Sequence, residues 1–382
     1  MPDKHLHIVS FDIPYPPNYG GVIDVYYKLK ALHRKGVKII LHCFEYPGRA
    51  RSEKLEQFCS EVHYYPRLVG MSSAFSRKPY IVASRKSKKM LDNLCKDDHP
   101  ILFEGLHSCY YLDHPSLSKR FKIYRESNIE HQYYFNLFRV DKNIFNKLYY
   151  FLASIKLMIF QKILRHANLM LVVSRDDTEY LRKHFPENAV EYLPSFHANE
   201  SVECTPGSGD YALYNGNIEV AENAHAVKYL IKEVFNDINV PLIVAGMNPP
   251  EHIIRLAEQH ENVKVVANPD DAKMFDLIRN AHTNILVTFQ ATGLKLKLLN
   301  TLYKGKFCLV NDKMLNGTGL EELCVIANSS KEFKQKLKAL FKKDFTAPEI
   351  ELRKKVLGMR YSNDQNADIL VSLVFGMRDL VL

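Results

Sequence analysis

A phosphate-binding turn needs free backbone N–H groups, a glycine that lets the ligand approach, and a nearby cation. Residues 284–311, NILVTFQATGLKLKLLNTLYKGKFCLVN, offer all three. The run reads as an apolar strand, a turn carrying Thr292, Gly293, Leu294 and Lys295, an amphipathic helix, Gly305 and a second apolar strand. A helix that starts at a glycine turn after a strand aims its unsatisfied N–H groups outward, where its dipole also favours negative charge. Lys295 and Lys297 are two apart and so do not share a helix face. Lys295 is expected to point to the phosphate, and Lys297 to another partner or to solvent.

Four further places could do chemistry. The loop 14–21, PYPPNYGG, brings Gly20 and Gly21 to the start of a helix, where they could admit a phosphate or a sugar oxygen or serve packing alone. It carries neither GxGxxG nor GxxxxGK. In YRESNIEH, residues 124–131, Asn128 and Glu130 could bond hydroxyls of a second substrate or cap the next helix, and capping is the expected role. His107 follows the strand ILFEGL and is a candidate for contact at the reacting centre, although a loop histidine can equally be polar surface. LYNGNIEVAEN, residues 213–223, places Gly216, Asn217 and Asn223 at a strand end, and Asn268 closes the strand VKVVAN. The acid pairs Asp97–Asp98, Asp176–Asp177 and Asp270–Asp271 lack the DxD spacing that holds a metal–nucleotide, so a metal-independent reaction is expected.

These residues need a frame. Strand-like runs such as HIVSFDI, VKIILHCF and LMLVVS alternate with helical stretches over the first half. The alternation restarts at YALYNG after the Pro/Gly/Ser-rich segment 194–210, which reads as a linker. The expected fold is α/β, with two tandem doubly wound, Rossmann-like domains facing a cleft. The expected boundaries are 1–195, 196–360 and a C-terminal helix in 361–382 packing back toward the first domain. A long helical stretch is expected over about 133–166.

Composition is that of a globular protein, 46% hydrophobic and 25% charged over 382 residues. No apolar leader precedes the strand HIVSFDI, and the seven scattered cysteines show no metal spacing; both lead to an expectation of a cytoplasmic protein. The basic excess lies in the first half, where residues 1–195 hold 30 Lys and Arg against 20 Asp and Glu. That asymmetry suits an anionic partner, either a membrane face or a lipid diphosphate, or a merely solvated surface. Nucleic acid is not expected, because no recognised binding motif accompanies the charge.

The order strand, glycine turn, helix, glycine, strand resembles the donor-binding core of GT-B glycosyltransferases, in particular the family-4 proteins (glycosyl transferases group 1). Gly293, Lys295, Leu296, Lys297, Leu298, Leu299, Leu302 and Gly305 fall in register on that family's GTRLKLLEALAAGKPVV pattern. Gly216, Asn217 and Asn223 are similar to its VGSLDYRPNVDAV strand, and Asn128 and Glu130 to its HNxE segment. The resemblance implies a donor site at Gly20, Gly21, Gly216, Asn217, Asn268, Thr292, Gly293, Leu294, Lys295, Lys297 and Asn300. It implies acceptor contacts at Asn128 and Glu130, and a catalytic-centre contact at His107. Two glutamates of the pattern are replaced, by Thr292 and Asn300, and the Arg/Lys diphosphate clamp of many relatives is missing.

The implied activity is transfer of a hexose from a UDP- or GDP-sugar to a glycan or lipid-linked acceptor, retaining and without cofactor or metal, in surface-polysaccharide synthesis. Two alternatives stay open. One is a degenerate GT-B protein that acts as a partner or glycan-binding subunit. The other is a sugar-nucleotide epimerase of the same fold. The aromatic and basic stretch 145–165 suits peripheral contact with an anionic inner membrane face. The spacing of Leu148, Phe151, Ile155 and Ile159 suits core packing as well, and core packing is the expectation.

Overall fold

The computed structural model describes residues 3–46, 48–70, 73, 76–141, 143–289 and 295–376. The chain divides into two compact units, Met1–Ala198 with Tyr361–Leu382, and Asn199–Arg360.

The first unit carries strands β1 (His5–Ser10), β2 (Lys38–Glu45), β3 (Glu61–Pro66), β4 (Ile101–Glu104), β5 (Lys122–Glu126), β6 (Leu169–Val172) and β7 (Ala189–Tyr192). They form one sheet in the order β3-β2-β1-β4-β5-β6-β7. The second unit carries β8 (Ala212–Asn217), β9 (Leu242–Met247), β10 (Val263–Ala267), β11 (Thr283–Leu286), β12 (Phe307–Val310) and β13 (Val325–Ile326), in the order β10-β9-β8-β11-β12-β13. Every strand pair named here is parallel. Parallel neighbours require crossovers, which here are mostly helices, and helices on both faces explain why β4, β6, β11 and β12 are buried along their whole length.

The strand order sets where ligands can reach the backbone. β1 lies between β2 and β4, and β8 between β9 and β11, so each sheet reverses its winding beside the first strand of its unit. Crossovers depart to opposite sides there and leave a crevice beyond the carboxyl ends of the two strands. The residues that follow β1 and β4, and those that follow β8 and β11, are therefore the ones to inspect.

The helix Gly20–Arg34 buries Val22, Val25, Leu29 and Leu32 at helical spacing. Helix Asn363–Val371 packs beside it through Arg34–Asp364 at 2.9 Å and Lys35–Asp368 at 2.7 Å, with Leu370 and Val374 in the apolar core.

Residues 133–166 depart from the single long helical stretch expected. They form a hairpin of two helices, Glu130–Val140 and Ile144–Phe160, followed by a short 3-10 segment, Gln161–His166. Asn143 starts the second helix, its Oδ1 accepting from the Phe145 and Asn146 amides at 2.9 and 3.3 Å. The core role expected for Leu148, Phe151, Ile155 and Ile159 is also corrected. All four are exposed, Leu148 at 57% and Ile159 at 60%, and the helix anchors instead through buried Leu157 and Ser154.

Candidate functional site

At the crevice of the first unit the chain leaves β1 through Phe11 and Asp12. Asp12 accepts from the Ile13 amide (2.7 Å) and the Tyr19 hydroxyl (2.6 Å), and Arg49 donates to the Ile13 carbonyl and to Asn18 (3.0 and 2.8 Å). The Pro/Gly loop is thus held by side chains at both of its ends. Gly20 and Gly21 open the helix that follows. A Cβ on Gly21 would stand 2.5 Å from Phe11 Cζ, so a glycine here makes room for the Phe11 ring. That ring lies 5.4 Å from the His107 ring, which stands just beyond β4.

His107 and Glu130 come together: Nδ1 and Oε1 are 3.7 Å apart. Burial, reinforced by the charges of Arg85 and Arg67, holds the imidazole well below its ordinary pKa, so it is neutral. Burial pushes the Glu130 carboxyl up to about 8, with the Arg85 charge opposing the rise. Glu130 therefore carries its proton at neutral pH and can donate a hydrogen bond. The capping role expected for Asn128 and Glu130 is not what the structure shows. Ile129 is the N-cap and makes no side-chain capping bond, while the Asn128 amide donates to Glu126 Oε1 at 3.0 Å.

Two buried features here have no obvious trace in the sequence. Arg85 is fully buried and donates to the carbonyls of Phe11 (2.8 Å) and Ile81 and to the Tyr46 hydroxyl (3.1 Å). Beneath the crevice lies a charged quartet. Lys28 bonds Asp24 (2.9 Å) and Glu104 (2.6 Å), and Arg125 bonds Asp24 (3.0 Å) and the carbonyls of Leu193 and Pro194 (2.6 and 3.0 Å). Asp24 and Lys28 are an i,i+4 pair on an otherwise apolar helix face; Glu104 and Arg125 lie in β4 and β5, which are buried along their whole length.

In the second unit, Gly216 and Asn217 end β8. Asn217 Oδ1 accepts from the Glu219 amide (3.1 Å), and its carbonyl accepts from Asn223 Nδ2 (2.8 Å). Asn223 Oδ1 accepts from the Tyr214 hydroxyl (3.1 Å) and from Lys297 Nζ (3.3 Å), and Lys297 also lies over the Tyr214 ring at 5.3 Å. Lys297 therefore turns inward to β8. Desolvation brings its ammonium down to about 8, against the opposing charge of Glu222. Glu222 accepts from Thr288 Oγ1 beyond β11. Lys295 is the N-cap of helix Leu296–Lys304, and Asn300 within that helix accepts from Asn199 Nδ2 at 2.9 Å. Asn268 has a positive φ of 49° and accepts from the Asn248 amide at 2.8 Å, joining the turn after β10 to the one after β9. Thr292, Gly293 and Leu294 lie outside the described residues.

Solved structures share this arrangement along nearly the whole chain. TarM superposes with a TM-score of 0.70 at 9% identity, covering 97% of this chain and 98% of that one. A glycosyltransferase from Rickettsia africae gives 0.66 at 10%, covering 98% of both. The α,α-trehalose 6-phosphate synthase of Burkholderia multivorans gives 0.64 at 9%, covering 100% of both. The fold is GT-B. In sequence, an uncharacterized 44.6 kDa protein in the cps region of Klebsiella pneumoniae is 25% identical over 346 residues, 84% of this chain and 87% of that protein. No protein-family model matches the chain.

Within the GT-B frame the two crevices divide the sequence's candidates. His107, Glu130, Asn128, Gly20 and Gly21 belong to the first unit; Gly216, Asn217, Lys295, Lys297 and Asn300 belong to the second. Among the described residues, no group of three or more His, Cys, Asp or Glu is placed to hold a metal ion.

Proposed function

We propose that the protein is a glycosyltransferase that moves a hexose from a UDP- or GDP-sugar to a glycan or lipid-linked acceptor. The observation that carries the proposal is the GT-B fold with a lysine-flanked helix start, Leu296–Lys304, beside the crevice of the second sheet. A departing diphosphate would lie against the helix N-terminus and Lys295, where backbone dipoles and a cation stabilise charge that develops only as the bond breaks. Lys297 adds a second cation, held through Asn223 and Tyr214 at the end of β8. Asn300 keeps its NH₂ for a ribose hydroxyl while its oxygen is taken by Asn199.

In the first unit, neutral His107 and protonated Glu130 offer one acceptor and one donor at a single place, suited to sugar hydroxyls. Retention of configuration without a metal follows from the family resemblance. The cps-region relative supports a place in surface-polysaccharide assembly.

Thermal-shift titrations with UDP, GDP and their hexoses, in the protein and in Lys295→Ala, test the reading. A rise of several degrees with one nucleotide, lost in the variant, supports it, and release of that nucleotide in the presence of acceptor completes it. Silence toward every nucleotide would instead favour a non-catalytic partner subunit.

A further inference from the structure

The second helix of the hairpin, Ile144–Phe160, leaves nine of its 17 residues as exposed large hydrophobics. Phe145, Leu148, Leu152, Ile155, Met158 and Ile159 belong to this set, Phe145 at 80% exposure. Folded soluble chains rarely show water so much contiguous apolar side chain unless another phase or partner covers it. The charge around it is mainly positive. Between Glu130 and His166 the sequence holds six Lys and Arg against two acids, and one of those acids, Glu130, is buried. Arg139, Lys156, Lys162 and Arg165 are exposed. No helix among the described residues is long and apolar enough to cross a bilayer.

Part of this face borders a cavity of about 500 Å³ whose walls include Tyr80, Ile81, Tyr134, Tyr149, Leu152 and Leu157. Two of these residues tie it to the crevice. Tyr134 stands one helical turn from Glu130 on the same helix, and the Ile81 carbonyl accepts from Arg85. A largely apolar cavity with a wall residue one helical turn from Glu130, adjoining a basic apolar face, has the chemistry of a site for an amphiphile.

We propose that the hairpin is a lipid-contact element that seats the protein on an anionic bilayer and takes the hydrocarbon chain of a lipid-linked acceptor into this cavity. The word acceptor rests on the transferase reading; contact with lipid does not. Adsorption joins apolar insertion to attraction between the basic rim and anionic headgroups, and the second contribution weakens with salt.

The test uses the full chain with vesicles of equal parts phosphatidylcholine and phosphatidylglycerol. The protein is expected to float with the vesicles at low salt. The double variant Leu148→Asp/Leu152→Asp, at two exposed positions, is expected to lose roughly tenfold or more in partitioning. Farnesyl phosphate should raise the melting temperature of the protein but not of the variant, and inorganic phosphate should raise neither. Nucleotide-induced shifts should be equal in both proteins, which separates this proposal from the donor reading. If nucleotides fail to shift either protein while flotation and farnesyl phosphate behave as stated, the transferase reading falls and lipid contact stands. A protein that stays at the bottom of the gradient overturns the proposal. So does a sedimentation result in which the protein dimerises and the double variant is monomeric, since a second copy would then cover the face.

Discussion

His107 Nδ1 and Glu130 Oε1 stand 3.7 Å apart at the crevice of the first sheet, and burial drives both groups toward their uncharged forms. Their effects on stability run in opposite directions with pH. Unfolded, Glu130 ionises near its ordinary 4.5, but in the fold only near 8, so the native state holds the extra proton between these values. Stability therefore declines as pH rises through that window, at about 1.4 kcal/mol for each pH unit between the two values. His107 behaves inversely. Unfolded it takes up a proton below 6.5 while the folded imidazole does not, so its contribution is lost as pH falls through 6.5. Glu130→Gln should raise the melting temperature at about pH 8.5 and leave it nearly unchanged at about pH 4.5. An equal effect at both pH values would show that Glu130 ionises normally.

Gly21 makes room for Phe11. Gly21→Ala places a methyl group 2.5 Å from Phe11 Cζ and should cost about 1–3 kcal/mol, read from the denaturant midpoint. Phe11→Leu combined with Gly21→Ala should recover part of that loss. If the double variant is less stable than either single one, the clash is not the reason for the glycine.

The alternation of strands and helices made the doubly wound architecture legible, because fully buried parallel strands must read as short apolar runs between amphipathic helices. Glycines mark the start of the helix after β1 and the end of β8, the two strands beside which the winding reverses. Arg85, Glu104 and Arg125 were hidden for a physical reason: a charged residue in isolation reads as surface, and only the fold supplies the carbonyls and counter-charges that let it be buried. The stripe at Leu148, Phe151, Ile155 and Ile159 is exposed although its spacing suits a core, because one periodicity serves a buried face and an exposed apolar face equally. The hairpin break did leave a signal, the DKN run at 141–143, where Asp141 ends the first helix and Asn143 caps the second.

Lys297 should show stability and binding moving apart. Its ammonium is desolvated in the fold, ionising near 8 against an ordinary 10.5, so the cost of holding it is present in full below pH 8 and fades as pH rises toward 10.5. Lys297→Met should stabilise the ligand-free protein at neutral pH, by about 3 kcal/mol at most, and so raise its melting temperature. The same variant should lose most of any nucleotide-induced shift, since the cation facing Asn223 and β8 is gone. A variant that binds nucleotide normally would remove Lys297 from the donor site.

The quartet of Asp24, Lys28, Glu104 and Arg125 balances two positive against two negative charges with no access to water. It also ties the helix Gly20–Arg34 to the segment after β7, because Arg125 donates to the Leu193 and Pro194 carbonyls and Asp24 accepts from the Phe196 amide at 2.7 Å. Lys28→Met leaves Glu104 buried with its nearest cation removed and should cost about 3–5 kcal/mol. Lys28→Met/Glu104→Gln removes one charge of each sign and should regain a large part of that loss, since Asp24 and Arg125 still pair. Additive losses in the double-mutant cycle, read from urea midpoints, would mean that Lys28 and Glu104 act independently of each other despite their 2.6 Å contact.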